Sequence, residues 1–111
     1  MNIYTLTPDI AVGNNVSYNI TLNPDDEILK AHFPGRPIVP GAVLVQMAVD
    51  AISMHEKRRV KVECVGKVKF LKPITPDVRG LSINLHIEDG KSTAVISNAD
   101  ARFAVLLINF K

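Results

Sequence analysis

The sequence predicts an α+β fold: an antiparallel sheet curled around one long central helix, in a single domain spanning residues 1–111. Three observations carry this. Ala42 to Met54 is apolar at nearly every position, and a helix that is apolar nearly all round is a buried one. After it come segments that alternate apolar and polar residues, parted by turn signals, as half-buried strands in series do. Before it, Val16 to Leu22 alternates in the same way. Strands segregated from a helix give α+β rather than a parallel α/β sheet.

Each element follows from local chemistry. Ile3, Leu6 and Ile10 suit a short strand or an arm over a partner. Val16, Tyr18, Ile20 and Leu22 share one strand face, with Ser17, Asn19 and Thr21 on the other. Asn23-Pro24-Asp25-Asp26-Glu27 is a helix start, with Asn as N-cap, Pro at the first position and acids in the first turn. That short helix is expected to run to about Ala31 and to deliver His32. The long helix ends in His55-Glu56-Lys57-Arg58-Arg59, where cations suit the negative end of the helix dipole. Those cations are either a solvated terminus or a contact for an acidic partner.

Val60 to Leu71 predicts a long strand with Val60, Val62, Cys64, Val68 and Phe70 on one face. Gly66 falls on that face and marks a bulge or a close approach. Lys72-Pro73-Ile74-Thr75-Pro76-Asp77 is a turn-rich connection. Leu81, Ile83, Leu85 and Ile87 then alternate with polar residues, Asp89-Gly90 signals a hairpin, and Ser92 to Ser97 returns. Asn98-Ala99-Asp100 turns again, and Arg102 to Phe110 closes the sheet.

Composition excludes several classes. A hydrophobic fraction of 47% with 22% charged residues argues against disorder. No uninterrupted apolar run reaches the ~18–20 residues of a membrane span, and Met1-Asn2-Ile3-Tyr4 lacks the basic start of a secretory signal, so a cytoplasmic protein is expected. A net charge of +2 without tryptophan gives no nucleic-acid face. The single Cys64 makes no internal disulfide and is expected to be a small buried hydrophobe. His32, His55 and His86 have no metal-ligand spacing, and no dinucleotide, P-loop or nucleophile-elbow motif is present.

The chemistry concentrates in His32-Phe33-Pro34-Gly35-Arg36-Pro37-Ile38-Val39-Pro40-Gly41 and the helix behind it. Pro34, Pro37 and Pro40 stiffen a loop that presents a base, His32. Pro40-Gly41 is a helix entry, and the Gly41 N–H has no partner within the helix and no side chain to shield it. That is the geometry of an oxyanion hole for a carbonyl. On the helix, Gln46, Asp50, Ser53 and Lys57 fall at i, i+4, i+7 and i+11, a single polar stripe. The stripe either faces solvent or lines a cleft beside the histidine loop.

The block from His32 to Gly41 resembles the signature of the hot-dog-fold 3-hydroxyacyl-[acyl-carrier-protein] dehydratases, and Lys69-Phe70-Leu71-Lys72-Pro73-Ile74-Thr75-Pro76 resembles that family's second block. The similarity covers the chain from about Asn15 onward. It implies a hot-dog fold, with His32 handling the α-proton of an acyl thioester and the Gly41 N–H polarising the thioester carbonyl. It also implies substrate contacts from Phe33, Pro40, Phe70 and Pro73. The family's acid, five residues after that glycine, is here Gln46, and an amide cannot exchange a proton as a carboxyl group does. The family's glutamine one turn later is here Asp50. Asp50 is therefore read as carrying the acid role, with Gln46 orienting it or a water.

The resemblance further implies no cofactor and no metal. The expected partner is a 3-hydroxyacyl thioester on acyl carrier protein. Two copies would pair into one continuous sheet, with His32 of one chain facing Gln46 and Asp50 of the other, in a homodimer or a higher oligomer of dimers. The leading reading is a dehydratase of fatty acid, lipid or polyene biosynthesis. A second is a non-catalytic acyl- or carrier-binding subunit, pairing with a complete dehydratase. A third is a hot-dog thioesterase, which release of free thiol would reveal.

Overall fold

The computed structural model describes residues 3–23, 25–27 and 38–111. Among them, six strands form one antiparallel sheet in the order β1-β2-β4-β5-β6-β3. These are β1 (Tyr4–Val12), β2 (Asn15–Leu22), β3 (Val62–Phe70), β4 (Ser82–Glu88), β5 (Lys91–Ser97) and β6 (Arg102–Phe110). The helix α1 (Gly41–Glu56) stands between β2 and β3 in the chain and packs on β4 and β6. The expected α+β arrangement is therefore present. The short helix expected before His32 lies largely outside the described residues. At its start, the Asn23 side-chain oxygen accepts the Asp25 N–H at 3.1 Å, as an N-cap does.

The alternating segments put their apolar faces into one core. Val16, Tyr18 and Ile20 of β2 are buried with Ile83 and Leu85 of β4, Ala94 and Ile96 of β5, and Leu106, Ile108 and Phe110 of β6. Met47, Ala48, Ala51 and Ile52 of α1 fill the concave side and are fully enclosed. Asp89 and Gly90 both take positive φ, 49° and 74°, which the tight hairpin between β4 and β5 requires. A Cβ on Gly90 would also lie 2.9 Å from the Phe110 carbonyl oxygen. Asn98 turns the chain between β5 and β6, its side-chain oxygen accepting the N–H groups of Asp100 and Ala101, each at 2.9 Å.

Two expectations are corrected. The segment before β2 is a full strand of nine residues, hydrogen-bonded along β2, rather than a short strand or a free arm. The segment Val60 to Leu71 is not half-buried. β3 is an edge strand paired only with β6, and nearly all of it is exposed, Cys64 included. Only Val60, just before the strand, is fully buried on the expected face. The register of β3 against β6 shifts between Val62 and Cys64 and again between Val65 and Lys67, which places Gly66 in a bulge.

Candidate functional site

The end of the proline loop and the second sequence block run side by side, because the Val39 N–H donates to the Ile74 carbonyl at 2.8 Å. Pro40 is extended, at φ −62° and ψ 147°, and its carbonyl accepts the first helical N–H groups, from Val43 at 3.0 Å and Leu44 at 3.3 Å. Gly41 is the first residue of α1, where an N–H has no carbonyl to reach within the helix. The Phe70 ring lies against it. A Cβ on Gly41 would meet the ring's Cζ at 2.8 Å, and the ring itself is 58% exposed. The fold thus gathers Pro40, Gly41 and Phe70 at the positive end of the helix dipole. Pro73 lines an open groove of about 1360 Å³ that also touches Ile38 and Phe103. His32 and Phe33 lie outside the described residues.

The polar stripe is neither a plain solvent face nor an open row. Gln46 and Lys57 are exposed and Asp50 is half-buried. Ser53 is buried, its hydroxyl accepting the Val60 N–H at 3.2 Å. The helix stops at Lys57, which turns left-handed at φ 58°. That turn sends Arg58 and Arg59 back along the helix. Arg58 meets Glu56 at 3.7 Å and donates to the Lys111 carbonyl at 2.8 Å.

Asp50 is the centre of the stripe. Its Oδ1 accepts Nε2 of Gln46 at 2.8 Å and Nη1 of Arg59 at 2.9 Å, and its Oδ2 accepts the Tyr4 hydroxyl. Burial pushes its pKa up, but the hydrogen bonds from Tyr4, Arg59 and Gln46, with the Arg59 charge, outweigh it and hold the carboxyl below the usual value. Burial, and then the bond to the Asp50 carboxylate, push the Tyr4 hydroxyl well above its ordinary range, so Tyr4 stays a donor. A cavity of about 450 Å³ lies along this cluster, walled by Tyr4, Leu6, Met54 and Arg59. Asp50 is thus an anion at neutral pH, with no proton of its own to deliver to a leaving hydroxyl.

Sequence reasoning found Gln46 and Asp50 but missed Tyr4 and Arg59. Tyr4 is 46 residues from Asp50, and no periodicity links a strand residue to a helix residue at that distance. Arg59 is nine residues on, beyond the helical neighbours at i+3 and i+4, and reaches Asp50 through the left-handed turn at Lys57.

A family model described as "ApeI-like: ApeI dehydratase" matches residues 10–105. The chain is 31% identical, over 90 residues, to the 3-hydroxyacyl-[acyl-carrier-protein] dehydratase FabZ of Lactococcus lactis, a match covering 75% of this chain and 56% of that protein. To FabZ of Lactobacillus helveticus it is 32% identical over 76 residues, covering 62% of this chain and 48% of that protein. The chain therefore spans about half the length of the curated relatives it matches. Among solved structures, a chain of the dehydratase heterocomplex ApeI:P from Xenorhabdus doucetiae superposes with a TM-score of 0.80 at 15% identity, over 96% of both chains. An uncharacterized protein from Erwinia carotovora superposes with a TM-score of 0.63 at 16% identity, over 96% of both. At these identities the structural likeness establishes the fold, which is the hot-dog arrangement. The match over residues 10–105 establishes the family: this chain belongs to the ApeI-like dehydratases.

Proposed function

We propose that this chain is a dehydratase-type subunit acting on 3-hydroxyacyl thioesters of acyl carrier protein, in fatty acid or related lipid or polyene biosynthesis. The observation that carries this reading is the helix entry. Gly41 opens α1 beneath Phe70, at the end of a proline loop that begins with a histidine, and Gln46 follows five residues later. In this reading His32 takes the α-proton, and the Gly41 N–H stabilises the oxygen of the enolate-like intermediate. The imidazolium so formed gives that proton to the 3-hydroxyl, which departs as water while the double bond forms. Phe33, Pro40, Phe70 and Pro73 contact the acyl thioester. No metal or cofactor takes part.

The site is completed by a second subunit. α1 leaves Ala42, Gln46 and Met54 exposed, and β3 leaves its edge unpaired with Val62 and Val65 exposed. An edge strand of nine residues with free N–H and C=O groups favours pairing with another strand. We therefore propose a dimer with a continuous sheet, in which His32 of one chain faces Gln46 and Asp50 of the other. Such a protein works in the cytoplasm, where carrier-bound acyl chains are made.

The engagement of Asp50 by three donors favours a second reading, in which the partner is a complete dehydratase. A heterodimer of that kind holds one competent site, with His32 from this chain and a carboxyl group from the partner. The test is hydration of crotonyl-carrier protein by the purified protein and by His32→Ala. Turnover that vanishes with His32 supports the first reading. Turnover only after addition of a dehydratase with Glu five residues past its glycine supports the second. Release of free thiol instead of hydration overturns both.

A further inference from the structure

Asp50 can only accept hydrogen bonds, because an ionised carboxylate has no donor. The contact from Gln46 at 2.8 Å therefore fixes which end of the Gln46 amide faces Asp50. It is the NH₂ end, and the carbonyl oxygen, Oε1, is the end turned away. This orientation is usually a choice left to the surrounding network, and here the network leaves no choice. Tyr4 and Arg59 reinforce it from two other segments, since both donate to the same carboxylate and hold it in place.

Resting on the functional reading above, we infer that Tyr4, Asp50 and Arg59 are positioning residues that turn Gln46 into a fixed hydrogen-bond acceptor for the 3-hydroxyl group of the acyl chain. The site then recognises the hydroxyl by accepting its proton in a hydrogen bond, at the position where the related dehydratases carry a group able to give one. Gln46 touches the ligand; Tyr4 and Arg59 act only through Asp50. The device separates recognition of a 3-hydroxyacyl chain from protonation of its leaving group. A chain built this way selects hydroxylated acyl chains even where it does not dehydrate them.

The test compares binding of two amide-linked acyl-carrier proteins that do not turn over, 3-hydroxybutyryl and butyryl, which differ only in the hydroxyl. The native protein is expected to bind the hydroxylated form about fivefold more tightly, the worth of one neutral hydrogen bond. Asp50→Leu, which removes the acceptor that holds the NH₂ end of Gln46, is expected to bring that ratio towards one. Asp50→Asn, whose side-chain oxygen still accepts from Gln46, is expected to keep it, a difference that mere loosening of the fold does not produce. If Asp50→Leu fails to fold, Gln46→Leu, on an exposed side chain, removes the acceptor itself and is likewise expected to bring the ratio towards one. Equal binding of the two by the native protein overturns the inference and leaves the functional reading standing. A fivefold ratio that survives Asp50→Leu or Gln46→Leu also overturns it. Binding of neither overturns the functional reading and the inference with it.

Discussion

Asp50 has a half-buried carboxylate with donors from β1, α1 and the segment after the helix. Its depressed pKa has a consequence for stability. A carboxyl whose folded pKa lies below its unfolded value, about 3.9 for Asp, stabilises the fold at pH above that unfolded value. The contribution is lost as pH falls through the lower folded value. Tyr4→Phe removes one of the donors that lower it. Thermal melts from pH 7 to pH 2.5 are expected to show the variant less stable than the native protein near neutrality, with the two curves converging in acid. Parallel curves would mean that the Tyr4 bond does not distinguish the ionised carboxylate from the neutral one. None of this was legible locally. Asp50 stood out as the carboxylate of a polar stripe, but its partners lie 46 and 9 residues away, and only the folded chain brings them to it.

At the scale of elements, the pattern of burial decides what a sequence can announce. β2 and β4 were legible because one face of each is buried in the core, so apolar residues recur every second position. The Asp89-Gly90 hairpin was legible because its backbone demands positive φ. β3 also alternates, yet both its faces are open and Cys64 is exposed. An edge strand carries the composition of a strand without the burial, and alternation alone does not tell the two apart. The polar stripe of α1 hid a different element of order. Ser53 is buried and accepts the Val60 N–H, which ties the helix end to the segment leading into β3. Ser53→Ala leaves that N–H without a partner and is expected to cost about 1–3 kcal/mol in a denaturant titration. A cost near zero would mean that the segment between Lys57 and Val60 finds another acceptor.

Among the described residues, the molecule has a filled concave side and two edge strands, β1 and β3. The core closes around Met47, Ala51 and Ile52, while the β3 edge and the Gln46 face of α1 stay open. No helix among the described residues is long and apolar enough to cross a membrane. If the open edge pairs with a second copy, Val65→Glu sets two like charges near the seam, and sedimentation is expected to show a dimer becoming a monomer. A native protein that is monomeric at micromolar concentration would contradict a site shared between two copies. The hot-dog fold was legible because the helix, the strands and the two sequence blocks agree in order. Gln46 and Asp50 were legible as one helical face, whereas the bonds of Tyr4 and Arg59 to Asp50 were not, because they join residues far apart in sequence.

The amide of Gln46 gives the most direct test of the proposed dehydratase site. The measurement is dehydration of 3-hydroxybutyryl-carrier protein by Gln46→Glu beside the native protein, with and without His32→Ala. The new carboxyl would sit beside the Asp50 anion, and a like charge at that distance raises its pKa towards that of a useful acid. The account predicts a gain of roughly 10²–10⁴ in turnover, abolished by His32→Ala. Turnover unchanged by Gln46→Glu, or a gain that survives the loss of His32, would contradict it.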